Sequence, residues 1–156
     1  ALDSAKTVNS DTAATQEQVN KAKNELTNAQ AKLVKKGALD VSKVTVSVDS
    51  TKANAGELTL TFTSTEAGLT GFDVTANETI AKAFGDDTTA TVADGADGKL
   101  VVTVKKSDDS AFDLTSLTSA NIKFNAVLKA TDKVDSNVEV ALSYTNSAWA
   151  STVTVK

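Results

Sequence analysis

The chain contains no histidine, cysteine, arginine, methionine or proline. Without His there is no ordinary general base poised near neutral pH. Without Cys there is no thiolate nucleophile, no thiolate zinc site and no disulfide. Aromatic residues are only 4% of the 156, so a core has to be assembled from Val, Leu, Ala and five Phe. Apolar residues still reach 40%. That lies within the globular range, so one folded domain with a small appendage is expected. No apolar run approaches the roughly 20 residues that span a bilayer, so no membrane span is expected. Sixteen Lys face 20 acids for a net charge of -4, and the only adjacent lysines are Lys35-Lys36 and Lys105-Lys106. Nothing electrostatic favours a nucleic-acid partner. With neither initiator Met nor a signal-peptide pattern, the sequence reads as a piece of a longer, processed polypeptide. Its Thr/Ala/Asp/Lys texture and its lack of Cys fit an extracellular or cell-wall protein of a bacterial surface.

What is present falls into two segments with different periods. Thr15-Gln16-Glu17-Gln18 has the form of a capping box: the Thr hydroxyl accepts from a backbone N–H three residues on, and Gln18 reaches back. Val19, Ala22, Leu26, Ala29 and Leu33 then follow at spacings of about 3 and 4, one stripe along a helix of residues 15–36. Lys32, Lys35 and Lys36 oppose its dipole and Gly37 is a ready stop. Leu2, Ala5 and Val8 mark an earlier helix broken by Asn9-Ser10-Asp11. The segment 1–37 is therefore read as a helix or helical hairpin, too Ala-rich to stand as a domain alone.

From residue 40 the period becomes two. Val44-Val46-Val48, Leu58-Leu60-Phe62, Phe72-Val74, Ala90-Val92, Leu100-Val102-Val104, Ile122-Phe124-Ala126-Leu128, Val138-Val140-Leu142 and Val153-Val155 each alternate with polar residues, as half-buried strands do. Turn signals separate them: Asn54-Ala55-Gly56, Gly85-Asp86-Asp87, Asp94 to Gly98, Ser107-Asp108-Asp109 and Asp132 to Asn137. The expected fold is mainly β, a β-sandwich of about nine strands over residues 40–156, with jelly-roll and immunoglobulin-like topologies both open. No helical pattern of useful length interrupts the strands, which argues against a βαβ fold. Ala76 to Phe84 reads as either a short strand or a helical turn.

Two resemblances attach to these segments. Ala14-Thr15-Gln16-Glu17-Gln18-Val19 with Ala22, Leu26, Ala29 and Leu33-Val34 resembles the second half of the FIVAR-type helical repeat of Gram-positive surface proteins. Ala55-Gly56-Glu57, Gly71-Phe72-Asp73-Val74, Gly98-Lys99-Leu100-Val101-Val102, Ile122-Lys123-Phe124 and Thr152-Val153-Thr154-Val155 resemble strand positions of a cohesin-like module. The Tyr-Asp-Pro segment usual after the third strand is replaced by Ala76-Asn77-Glu78-Thr79. The cohesin resemblance implies a jelly roll that binds a dockerin-type protein through the outer side of one sheet. By alternation that side exposes Asp73, Thr75, Thr89, Thr91, Val101, Thr103, Lys105, Glu139, Ala141 and Ser143. Immunoglobulin-like domains of surface-layer proteins and adhesins share the same texture. They imply a structural module that contacts copies of itself.

Candidate chemistry is sparse. Asp86-Asp87 and Asp108-Asp109 could supply a glycosidase pair; neighbouring strand residues point to opposite faces, and such acids are ordinary turn residues, so no enzyme is expected. Asp94 and Asp97 could hold calcium through carboxylate oxygens, and Asp132 to Asp135 offers a similar set. Asp and Gly equally suit a plain hairpin turn. No other cofactor is implied. A Lys–Asn crosslink needs Lys, Asn and an acid buried together, and Lys123, beside Asn125, alternates outward. Tyr144 and Trp149 could stack on a sugar, but a carbohydrate-binding face needs several coplanar aromatics, so Trp149 is read as a core plug. The functional expectation is a noncatalytic protein–protein attachment module. A self-associating surface tile is the alternative and a carbohydrate-binding module the third.

Overall fold

The computed structural model of the chain describes residues 1–31, 36–94, 96–116 and 122–156. Its contacts divide it into two units, Ala1–Lys36 and Gly37–Lys156. The first unit is a hairpin of α1 (Leu2–Ser10) and α2 (Gln16–Ala31). Both halves of the capping box form. The Thr15 hydroxyl accepts from the Gln18 N–H at 3.3 Å, and Gln18 Oε1 accepts from the Thr15 N–H at 2.7 Å, so two donors that a helix start leaves orphaned are paired. Ala22 is the one buried residue of this unit among those described, and Val19 stays 42% exposed. The expected last turn, with Lys32, Leu33 and Lys35, lies outside the described residues.

In the second unit the every-other-residue pattern becomes strands. The long ones are β2 (Val44–Asp49), β3 (Glu57–Ser64), β5 (Thr88–Asp94), β6 (Leu100–Lys106), β7 (Ile122–Ala130), β9 (Ser136–Thr145) and β10 (Ala148–Val155). β4 (Leu69–Phe72) is shorter, and β1 (Gly37–Ala38) and β8 (Lys133–Val134) have two residues each. The eight larger strands form two antiparallel sheets, ordered β2-β3-β6-β5 and β10-β9-β7-β4; β1 and β8 pair with each other in parallel. Each sheet turns its apolar residues to the other. Leu58, Leu60, Phe62, Leu100, Val102 and Val104 from the first lie in one buried cluster with Phe124, Leu128, Val138, Val140 and Leu142 from the second. Phe62 is the central contact, edge-on to Phe72 at 5.0 Å and to Phe124 at 6.4 Å. This is the expected β-sandwich.

Strand order decides between the two topologies that the sequence left open. Taken in chain order and omitting the two-residue pieces, the strands fall as first-second-fifth-fourth in one sheet and third-sixth-seventh in the other, with the eighth added outside the seventh. That is the order of a constant-type immunoglobulin sandwich extended by one strand.

The two open sides of the sandwich are closed differently. On one, β10 packs beside β2, and the Ser151 hydroxyl donates to the Val46 carbonyl at 2.7 Å, satisfying an edge-strand acceptor that no strand reaches. On the other, α3 (Ala76–Phe84) packs against β5 and β7. Of the two readings open for residues 76–84, a short strand or a helical turn, the helical one holds, extended to nine residues. Its apolar residues recur every four positions, and Ala76, Ile80 and Phe84 are all buried, so one stripe plugs the gap. Glu78–Lys82 pairs along its outer side, and the Thr88 hydroxyl donates to the Ala81 and Gly85 carbonyls where it ends. The expected strand residue Val74 instead lies between β4 and α3 and is 97% exposed. Phe112, from the loop after β6, joins the core against Phe84.

Candidate protein-binding faces

Alternation along β2, β3, β5 and β6 leaves hydroxyls on the outside of their sheet. Register then sets them in rows. Asp49, Thr59, Thr103 and Thr91 lie abreast, as do Ser47, Thr61, Val101 and Ala93. Beyond them, Thr45 faces Thr63 with its hydroxyl 2.8 Å away. At the opposite end, Glu57 and Thr89 flank Lys105. β-branched Thr suits both the pleat and a half-exposed surface, so this face follows from the same residues that make the strands. Its charges among these rows are Glu57 and Lys105 at that end and Asp49 at the margin of the next row. Glu57 is paired with Lys52 and Lys105 with Asp109, each at 2.8 Å. These partners raise both lysines above their ordinary pKa, chiefly through the hydrogen bond to each carboxylate.

The ten residues proposed from the sequence do not share one face. Thr89, Thr91, Val101, Thr103 and Lys105 lie together on the outside of β5 and β6. Glu139, Ala141 and Ser143 alternate with buried Val138, Val140 and Leu142, so they lie on the outside of the other sheet, across the core. Asp73 and Thr75 belong to neither face. They join β4 to α3, and the Asp73 carboxylate accepts from the Thr75 hydroxyl and from the Val127 N–H. The Thr75 bond, first, and the backbone bonds hold Asp73 below its usual carboxylate range. The separation has a plain cause: alternation gives the side of a strand, whereas the sheet to which it belongs depends on long-range pairing. For the same reason Thr59, Thr61 and Thr63 were missed as face residues. Their alternation was visible, but not that β3 is the neighbour of β6.

The other candidates are placed as follows. Asp97 has φ 61 and precedes Gly98 in the tight connection from β5 to β6, which is the turn role. The Asp94 side chain and Gly95 lie outside the described residues. Asp132 takes a left-handed conformation at φ 55. Among the described residues no three acids are grouped to hold a metal ion. Lys123 points outward, 3.7 Å from Glu139. Asn146 and Ser147 form the β9–β10 turn with φ of 51 and 60, the two-residue hairpin geometry that matches strand twist. Tyr144 and Trp149 pair across that hairpin with ring centroids 5.1 Å apart. Trp149 is half-buried against the core, and its indole Nε1 is buried without a hydrogen-bond partner among the described residues. A shallow cavity of about 300 Å³ beside the start of α3 is lined by residues including Asp73, Thr75, Asn125, Asn137 and Lys156. No protein family, curated protein or solved structure matches the chain.

Proposed function

We propose that the chain is a noncatalytic attachment module of a bacterial cell surface. The sandwich acts as a rigid slab whose Thr-lined outer face, β2-β3-β6-β5, contacts protein. The observation that carries this reading is the row structure of that face: mostly hydroxyls and small side chains across four strands, with Glu57 and Lys105 at one end and Asp49 at the margin of the next row. Both lateral openings of the sandwich are covered, by β10 beside β2 and by α3 beside β5, which favours a face rather than a strand edge as the contact.

The size of the face narrows the partner. Four strands at about 4.8 Å spacing and some six residues at about 3.3 Å rise give roughly 400 Å². A standard-size interface buries about 800 Å² per partner. One such contact is therefore weak, and it becomes useful when many copies are displayed together. The immunoglobulin-like strand order points the same way, because a dockerin-type partner was implied by a jelly-roll resemblance. Contact between copies of the chain is accordingly the second reading, and it uses the same face. The test combines retention of secreted proteins on the immobilised chain with sedimentation of the chain at rising concentration. Thr61→Lys/Thr103→Lys should abolish whichever association is found, and Ala141→Lys/Ser143→Lys should leave it. The reverse pattern, or hydrolytic turnover of a polysaccharide or peptide, would overturn the proposal.

A further inference from the structure

A seven-strand immunoglobulin sandwich is antiparallel throughout, so its first and last strands carry the chain in at one pole and out at the other. Here the eighth strand, β10, runs back. Its pairing with β9 ends at Val155 opposite Val138, and the next N–H, of Lys156, donates to the Asn137 carbonyl at 3.0 Å. The leading end of the same unit is tied to the adjacent stretch: Gly37 and Ala38 pair with Lys133 and Val134. Val134 and Asn137 are three residues apart, at most about 11 Å. Each partner lies about 4.8 Å further out. Residues 38 and 156 thus sit within roughly 20 Å of each other. The β9–β10 turn, nine residues along β9 from Asn137, is about 30 Å away at the far pole.

We infer that tension applied through residues 37 and 156 unzips the sandwich from one pole rather than shearing it. The ties at that pole are few. On the leading side they are the two-residue β1–β8 pair, Glu66, which accepts from both the Asp40 N–H and the Lys133 ammonium, the buried side chains of Leu39 and Val41, and the Thr65 N–H bond to the Lys43 carbonyl. On the trailing side the bonds of β10 to β9 follow one another in a ladder. A pull on both ends meets these bonds singly, first the ties around Glu66 and Asn137, then successive pairs of β10 and β2. A pull between opposite poles would instead load every β2–β3 bond at once. The inference is independent of what the Thr-lined face binds.

The chain has no cysteine, so paired cysteines give unique handles for single-molecule pulling on the full chain. Gly37→Cys is open, since a Cβ there meets nothing within 4 Å, and Lys156 and Thr145 are exposed. The Gly37→Cys/Lys156→Cys pair should release β10 and β2 stepwise and at lower force than Gly37→Cys/Thr145→Cys at the same loading rate. The latter should rupture in one event. Equal force, or higher force through residues 37 and 156, would overturn the inference. Thermal melts matching the parent chain establish that the handle variants are folded. If Gly37→Cys misfolds, Lys36→Cys takes its place and the comparison stands: Lys36→Cys/Val155→Cys must again yield at lower force than Lys36→Cys/Thr145→Cys.

Discussion

Replacing Ile80 by Ala tests whether α3 is a structural plug or a passive insertion between strands. Ile80 is fully buried at 0% exposure, one turn of helix from Ala76 and from Phe84. The substitution removes most of an aliphatic side chain and leaves a void between β5 and β7. Changes of this kind cost about 2–5 kcal/mol, more where the surroundings cannot collapse. The better helix propensity of Ala returns only about 0.4 kcal/mol. We expect a net loss of about 3 kcal/mol. The second unit, Gly37–Lys156, has 120 residues; at about 2.1 cal/mol/K per residue its unfolding entropy is roughly 250 cal/mol/K, so Tm should fall by about 12 °C. Urea unfolding followed by Trp149 fluorescence reads the same quantity, with the midpoint lowered and the slope unchanged. Val74→Ala is the control, because Val74 is 97% exposed and should move stability by less than about 0.5 kcal/mol. If Ile80→Ala matched that control, α3 would not be part of the core and the closure of this side of the sandwich would be wrong.

Gly98→Ala should be among the most damaging single changes. Gly98 has φ +70, and an added Cβ would lie 2.6 Å from the Gly68 Cα, so backbone strain and overpacking should together cost more than about 2 kcal/mol; Gly37→Ala, with nothing near its Cβ, should be almost silent in the same urea titration. Trp149→Phe removes an indole N–H that is buried without a partner and should cost less than about 1 kcal/mol despite the lost ring area, checked by thermal melt. Stability should be flat between about pH 5 and 9, since no His or Cys titrates there. Glu66, hydrogen-bonded by Lys133 and then by the Asp40 N–H, and Asp73, bonded by Thr75, have folded pKa values below their unfolded ones. Their contribution is present above about pH 4 and lost as pH falls through the folded values. Lys52, Lys82 and Lys105 are raised by their carboxylate partners, so theirs is present below about pH 10.4 and lost above it. Urea midpoints across the range would read both limbs.

Local order was legible and long-range order was not. The capping box at Thr15 and Gln18, the alternation of the long strands and the turn role of Asp97 all depend on residues a few positions apart. Strand order depends on which strand finds which. Hence Glu139 could be grouped with Lys105 although the core lies between them, and Thr61 could go unnoticed beside Val101. α3 was obscured because its stripe is only three residues, Ala76, Ile80 and Phe84, and the adjoining Phe72–Val74 run imitates a strand. β1 and β8 are too short to carry any period. Phe112 lies in a loop whose sequence reads as polar turn, so its place in the core follows only from the packing of Phe84 across from it.

The central claim is that one face of an immunoglobulin-like slab makes the contact. Backbone amide spectra of the ¹⁵N-labelled chain, recorded as its own concentration or that of a captured partner is raised, test it most directly. Shifts should gather on Thr59, Thr61, Thr91 and Thr103, with Ala141 and Ser143 unmoved. Shifts confined to β9 and β10, or to the helical hairpin, would contradict it.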